Sequence, residues 1–495
     1  DPGYIRDNAL IKDLSGEGLK QIFTTPIMGN YHPLTILSYA MEYSFVRLEP
    51  WLYHLDSVLL HIAVTLLVYF FTKALTQRTV AAAITAVLFG LHPMHVESVA
   101  WIAERKDVLY TFFYLLGMLA YLRYAETGHR KWFVWVLVLF VASCLSKPMA
   151  VVFPLSLLCI DVFLGRPLGR QLVTEKWLFF LGSLVFGGAA VYTQSRTGAV
   201  ASFSTLSLAE RVMFASYGFI AYIGKFLYPS HLSTFYPYPY RYVGGSLPFI
   251  YYAAPFLSVA ILVLPAWWLH RRGSAWFRLY LFGMGFFLVN VLFVLQFISV
   301  GAAIMADRYS YVAYIGLLFM VALGLWQLAS RSNIWRVAVV SVFIASSAGL
   351  AVTCAARTMV WHNAETLLSD AIEKYPYGAL LSYKWRGHYY LSIGELDKAL
   401  NDYNVLVTLR AADNKVKANI ERIQAMKALQ TTGALQGVSS AAPIGSYQPY
   451  VDSALGCFAQ ADTLAALRKY VEALRRNPQQ AEKAMANASD ALVQH

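Results

Sequence analysis

The chain has 495 residues, of which 58% are hydrophobic and 14% charged, against about 25% charged in an ordinary soluble domain; its mean hydropathy is +0.49. This excludes a disordered chain, a disulfide scaffold and an ordinary cytosolic enzyme, and points to a polytopic membrane protein. The net charge of +12 sits in the apolar part, with 25 Lys/Arg against 15 Asp/Glu before Arg357 and 15 against 13 from there on. That is the excess the positive-inside rule produces, and no basic patch on a soluble module suggests nucleic acid as a partner.

The chain begins at Asp1 without an initiator Met or a signal peptide, and the expectation is that residues, perhaps a first membrane helix, precede it. Apolar runs then recur at 57–76, 79–92, 107–124, 132–146, 149–164, 176–194, 248–269, 276–298, 308–329 and 335–354. Short basic loops around Lys73/Arg78, Arg123/Arg130/Lys131, Arg166/Arg170/Lys176, Arg271/Arg272 and Arg331/Arg336 read as cytoplasmic. The loops 1–56, 92–107, 146–148, 195–247 and 299–308 then face the other side, periplasm or lumen. This alternation holds only if a further run, 212–228, does not cross, so it is expected to be interfacial or re-entrant. The predicted fold class is all-α: a membrane bundle of about ten spans, or eleven with a helix before Asp1, carrying a helical tail. The four cysteines, Cys144, Cys159, Cys354 and Cys457, have no metal spacing and read as small buried hydrophobes.

The domain boundary is placed at 356/357. In the tail, Gly387, Tyr390, Ala399 and Tyr403 match the spacing of a tetratricopeptide repeat, with small residues where two helices cross and Tyr in the adjoining groove. Ala364, Leu368, Ala371 and Pro376 fit the second helix of an earlier repeat, and Ala466, Tyr470, Ala473 and Pro478 repeat that spacing in phase. The stretch 430–450 is poor in helix formers and interrupts the array.

Carboxylates are few before the tail, so each can be weighed. Transfer of a lipid-linked phosphosugar needs a carboxylate to take the acceptor's proton and cations to hold the departing phosphate. The densest group is His92-Pro93-Met94-His95-Val96-Glu97, followed by Glu104-Arg105-Lys106-Asp107, on the outer side. His92 and His95 resemble a metal pair, but Pro93 breaks the helical geometry, so hydrogen-bonding or phosphate-facing roles are favoured and no metal is assigned. Arg105 and Lys106 are either interfacial anchors or phosphate contacts. Lys147, in the short turn Ser146-Lys147-Pro148, either snorkels or meets a phosphate. Asp307-Arg308 reads first as an ion pair capping the following helix. The segment 228–242 is crowded with Pro and aromatics; Tyr236, Tyr238 and Tyr240 are either an interfacial belt or a platform for sugar or lipid, and His32-Pro33 is a similar polar-aromatic site. Nucleotide-binding, zincin and serine-hydrolase motifs are absent, which removes those chemistries.

The run Asp1-Pro2-Gly3-Tyr4-Ile5-Arg6-Asp7-Asn8, then Asn30-Tyr31-His32-Pro33-Leu34-Thr35, then HPMHVESVAWIAERKDVLY at 92–110 and ADRYSYVAYIGL at 306–317, resembles the transmembrane and tetratricopeptide-repeat family in its bacterial form. That family is related to the protein O-mannosyltransferases, of the GT-C membrane glycosyltransferase fold. The resemblance implies a polyprenyl-phosphate-linked sugar donor, an acceptor hydroxyl such as protein Ser/Thr, and an inverting transfer with no further cofactor. It implies a base in the first outer loop, where Asp1 matches the second of two consecutive acidic residues. Arg105 and Asp107 match the charged positions where donor phosphate contacts are expected, with Lys147 and Asp307-Arg308 as further motif positions. The repeats would hold the acceptor, and the host membrane would be a bacterial inner membrane, or an endoplasmic reticulum facing the lumen. Two other readings stay open: a membrane-anchored repeat scaffold, against which ten spans argue, and a lipid or sugar transporter, for which no inverted repeat is visible.

Overall fold

A computed structural model describes residues 2–167, 169–196, 206–239, 246–274, 276–297 and 303–431. The calls on Asp1, Tyr240, the stretch 432–450 and the repeat at Ala466–Pro478 lie outside the described residues.

The fold is all-α. The first outer segment forms α1 (Gly16–Thr24) and α2 (Pro33–Val46), which pack with the start of α3 (Pro50–Thr76) around Ile5, Ile11, Ile22, Ile36, Tyr39 and Tyr53. α4 (Thr79–Gly90) and α5 (Val96–Ala100) follow, and then α6 (Arg105–Thr127), α7 (Arg130–Ser146), α8 (Phe153–Leu164) and α9 (Arg170–Arg196). α10 (Leu208–Leu227) buries one face through Phe214, Gly218, Phe219 and Tyr222. α11 (Phe249–Arg271), α12 (Trp276–Val291), α13 (Tyr314–Ala329) and α14 (Asn333–Val360) complete the apolar part, and α15 (Ala364–Lys374) follows. The strand content is one short antiparallel pair among the described residues, β1 (Tyr236–Pro237) with β2 (Ala303–Met305).

All ten apolar runs are helical, but they divide by length. Six helices are long and apolar enough to cross a membrane by themselves: Pro50–Thr76, Ile102–Thr127, Leu172–Arg196, Phe249–Arg271, Trp276–Val294 and Asn333–Val360. α4 could make a seventh only together with Pro93–Ala100, from which it is bent by 55°. Pro148–Leu164 and Tyr314–Ala329 are apolar but shorter, and α10 is not in the crossing set. The expected count of ten or eleven spans is therefore reduced to six or seven on this criterion. The physical reason is visible at Pro93 and Pro148. Each proline lacks an N–H and forces the residue before it out of helical geometry, so helices end early and short turns carry the chain on.

The chain separates into two compact units, Asp1–Ala379 and Leu380–His495. α15, which the sequence groups with the tail, is in the first: Arg357 of α14 pairs with Asp370 at 2.9 Å, and Lys374 donates to the Leu232 carbonyl at 2.6 Å. The second unit, described to Thr431, contains α16 (Leu380–Ser392), α17 (Leu396–Thr408) and α18 (Asn414–Thr431). α16 and α17 form a helical hairpin turning at Gly394, whose φ of 83° favours glycine. A Cβ on Gly387 would lie 2.5 Å from the Tyr403 ring, so the small residue at this position is a steric requirement of the crossing. The buried Asp402 receives Arg386 in a two-pronged pair at 2.7 and 2.8 Å.

Candidate active site

The charged residues of the outer loops converge because four local features aim them. First, Pro93 bends the chain after α4, and α5 carries Glu97 inward, where it is buried. Second, α6 begins at Arg105 with Glu104 as its preceding residue, so Glu104 and Asp107, three apart, share a helical face. Third, Pro148 holds Lys147 extended at φ −155° and ψ 129°, ending α7 and turning the lysine toward α6. Fourth, Asp307–Ser310 is a tight three-residue-per-turn segment, in which adjacent side chains diverge by about 120°. It sends Arg308 one way and Asp307 another.

The result is a network of three carboxylates and three cations. Glu104 is its hub: Lys106 Nζ lies 3.2 Å away, Lys147 Nζ 3.4 Å and Arg308 Nε 3.5 Å. Lys147 also meets Asp107 at 2.5 Å, and Ser98 donates to the other Asp107 oxygen at 3.3 Å. Arg308 pairs with Glu97 through its guanidinium, and its backbone N–H donates to Glu97 at 3.0 Å. Aromatic faces cover the cations: Tyr4 under Lys106 at 4.9 Å, and Tyr309 and Trp101 under Arg308 at 4.8 and 5.5 Å. Burial works against the charge on Lys147, but Asp107 and Glu104 outweigh it and hold the amine above its ordinary value. Equal numbers of opposite charges make the burial tolerable, because each ion is paired and hydrogen-bonded.

His32 stands beside this network, with its ring 5.4 Å from Tyr4. It is 2% exposed, neither ring nitrogen has a hydrogen-bond partner, and burial with Lys106 nearby depresses it to about 3. It is a neutral, unsatisfied polar group at the edge of the charge cluster.

Other expected site residues go elsewhere. Arg105 is fully buried on the opposite side of the α6 start. It bonds to Glu42 at 2.5 Å, the Tyr53 carbonyl at 2.6 Å, and Ser38 and Ser57 at 3.3 Å, and stacks on Tyr39. Four of its five N–H donors are thus spent, and Asp56 lies 3.5 Å from Nη1, so the structure places Arg105 as a clamp on the first outer segment and not among the cations around Glu104. His92 accepts from the Met94 N–H at 3.3 Å and donates to the Phe226 carbonyl at 3.3 Å, and His95 bonds to the Phe89 carbonyl at 2.8 Å. Both bond to backbone around the bend, His95 keeping Nε2 without a partner; among the described residues no group of three His, Cys, Asp or Glu is placed to hold a metal ion.

Asp307 does not pair with Arg308. It accepts from Tyr236 Oη at 2.5 Å and faces Arg357 at 3.6 Å, with its carboxyl raised by burial. Tyr236 and Tyr238 are therefore not a ligand platform: their rings are buried, and the Tyr238 hydroxyl donates to Gln296 at 2.7 Å. Glu104 was present in the charged run but unassigned, and its i, i+3 relation to Asp107 was the signal that could have found it. Arg357 and Lys374 lay in the supposed tail and carried no signal of their own.

Residues 47–192 match the family model for dolichyl-phosphate-mannose-protein mannosyltransferase, a stretch that includes Glu97, Glu104, Lys106, Asp107 and Lys147. The chain is 40% identical over 118 residues to protein O-mannosyl-transferase tmtc2 of Xenopus laevis, covering 23% of this chain and 14% of that one. It is 41% identical over 98 residues to TMTC2 of Mus musculus, covering 20% and 12%, and 32% identical over 145 residues to Tmtc1 of Drosophila melanogaster, covering 29% and 16%. The matches thus take in less than a fifth of those relatives' length. No solved structure matches the chain.

Proposed function

We propose that this chain, a TMTC-like relative of the protein O-mannosyl-transferases, is a membrane glycosyltransferase that moves a sugar from a polyprenyl-phosphate donor to an acceptor hydroxyl, protein Ser/Thr being the acceptor. The observation that carries the reading is the Glu97–Glu104–Asp107 and Lys106–Lys147–Arg308 network, within and beside the family match. Lysine brings three donors and arginine five, so ion pairing leaves donors over: Lys106 meets the single carboxylate Glu104. Lys106, Lys147 and Arg308 hold the donor phosphate, and the carboxylates keep these cations aimed.

The acceptor oxygen attacks the anomeric carbon, the bond to the phosphate oxygen breaks, and the phosphate leaves with the electron pair onto the cations. A carboxylate of the first outer loop takes the hydroxyl proton, with Asp1 the residue in view. Attack opposite the leaving group inverts the anomeric centre. His32, neutral and buried, lines the same side as the cations. The helical hairpin from Leu380 belongs to a repeat domain that holds the acceptor. The relatives' names make mannose the first sugar to try, and the loops carrying the site lie on the periplasmic or luminal side.

The test is transfer of radiolabelled mannose from polyprenyl-phosphate mannose to a Ser/Thr-rich protein by the full chain in vesicles. Wild-type transfer that is lost in Lys147→Gln and restored in part by Lys147→Arg supports the reading. Wild-type rates in both Lys147→Gln and Glu104→Gln would overturn it.

A further inference from the structure

A groove of about 720 Å³ runs between α4, the end of α10, α13 and α14. Its walls are apolar, with Phe226, Leu318, Val321 and Leu350 on them, and α14 contributes one helical face. Gly349 lies on that face, and a Cβ added there would meet nothing within 4 Å, so the groove is open where the glycine stands. One end is polar and cationic. Arg357 sits in the last turn of α14, the depth at which a spanning helix meets headgroups. It is 5% exposed; Nη1 reaches Asp370 at 2.9 Å, Nη2 faces Asp307 at 3.6 Å, and Nε has no hydrogen-bond partner. Lys374 lines the same end, and Lys225 lies behind it, donating to the Ser230 and His231 carbonyls at 3.1 Å. Against these three cations stand Asp307 and Asp370, leaving one positive charge over.

We infer that this groove binds an anionic phospholipid of the surrounding bilayer, one acyl chain lying along the α13–α14 wall and the phosphodiester received at the cationic end lined by Arg357 and Lys374. An apolar channel open along a membrane helix suits a chain. The Arg357 guanidinium, whose Nε has no hydrogen-bond partner, and the Lys374 amine line the polar end and suit a phosphate's oxygens, and a single surplus charge matches a single phosphodiester charge. The occupant is a bilayer lipid rather than the sugar donor because Glu97, Glu104, Asp107, Lys147 and Arg308 do not line the groove, so a sugar carried there would not meet them. Such a lipid would fix α14 against α13 and, through Arg357–Asp307–Tyr236, steady the loop that carries Arg308.

Delipidated full chain in detergent, incubated with phosphatidylglycerol or phosphatidylcholine in mixed micelles, is examined by native mass spectrometry. One phosphatidylglycerol per chain is expected, held about tenfold more tightly than phosphatidylcholine. Gly349→Phe, which fills the groove from its open side, and Arg357→Gln should each remove that preference. Equal retention of both lipids by the wild type, or unchanged phosphatidylglycerol binding in Gly349→Phe, would overturn the inference, as would full displacement of phosphatidylglycerol by equimolar undecaprenyl phosphate. Should Arg357→Gln fail to fold, Gly349→Phe decides alone. Lipid binding is read without sugar transfer, so this result stands apart from the glycosyltransferase reading.

Discussion

Arg105 and Lys106 are neighbours in sequence and belong to two different buried charge sites. Around Arg105 four of the five donors are spent on the first outer segment: Glu42, Ser38, Ser57 and the Tyr53 carbonyl close over it. Around Lys106 the cations share Glu104, His32 stands with both nitrogens unbonded, and donor capacity remains. The first arrangement is what a structural clamp requires, a guanidinium held by several fixed partners at once. The second keeps charge in place but leaves it able to accept a further partner. Both sites are buried and cationic, so what separates them is how far their donors are already satisfied, not burial.

The sharpest way to break this contrast is Arg105→Ala. It strands the Glu42 carboxyl in a closed site and should cost about 3–5 kcal/mol, read as a large fall of the thermal unfolding midpoint in detergent. An unchanged midpoint with lost transfer would move Arg105 to the reacting side. Next is Lys147→Gln, expected to lower transfer by about 10²–10³-fold, the scale of removing one donor from a developing oxyanion. Its midpoint should fall less than that of Arg105→Ala; the reverse order would make the Glu104 network the structural one.

Tyr236→Phe leaves both Asp307 side-chain oxygens without a hydrogen bond and strands the Ser233 N–H, and should lower stability by about 1–3 kcal/mol without abolishing transfer. Loss of transfer at an unchanged midpoint would return Tyr236 to the ligand platform.

The smallest effect concerns pH. Burial, opposed by Arg105, raises Glu42 from 4.5 to about 7. The folded chain therefore binds more protons than the unfolded chain between those values, and stability from this group falls as pH rises through that window. Glu42→Gln should flatten the slope; a stability that instead rises across the window in the wild type would show that the Arg105 pair holds Glu42 ionised.

Much of the architecture was legible in the residues. Ten apolar runs coincide with ten helices, and Gly387, Ala399 and Tyr403 marked a real close crossing. Glu97 and Lys147 were singled out by the charged run after Pro93 and by the Pro148 turn, and Glu97 pairs with Arg308 while Lys147 and Arg308 share Glu104. The misreadings share a cause. Arg105 and the tyrosines of 236–238 were judged by type and neighbourhood, yet what distinguishes a clamped guanidinium or a buried ring from an available one is the identity of atoms far along the chain.

The sequence by itself determined the membrane character and the points where helices must stop, because hydropathy and proline act locally. The tertiary structure alone decided which charges meet. Glu97 and Arg308 are 211 residues apart, and Tyr236 and Asp307 are 71 apart. Direction at the two turns involved is set by helical rotation, about 100° per residue at the α6 start and about 120° in the Asp307 turn, so adjacent side chains there are committed to different neighbours. No local pattern records which neighbour each will find.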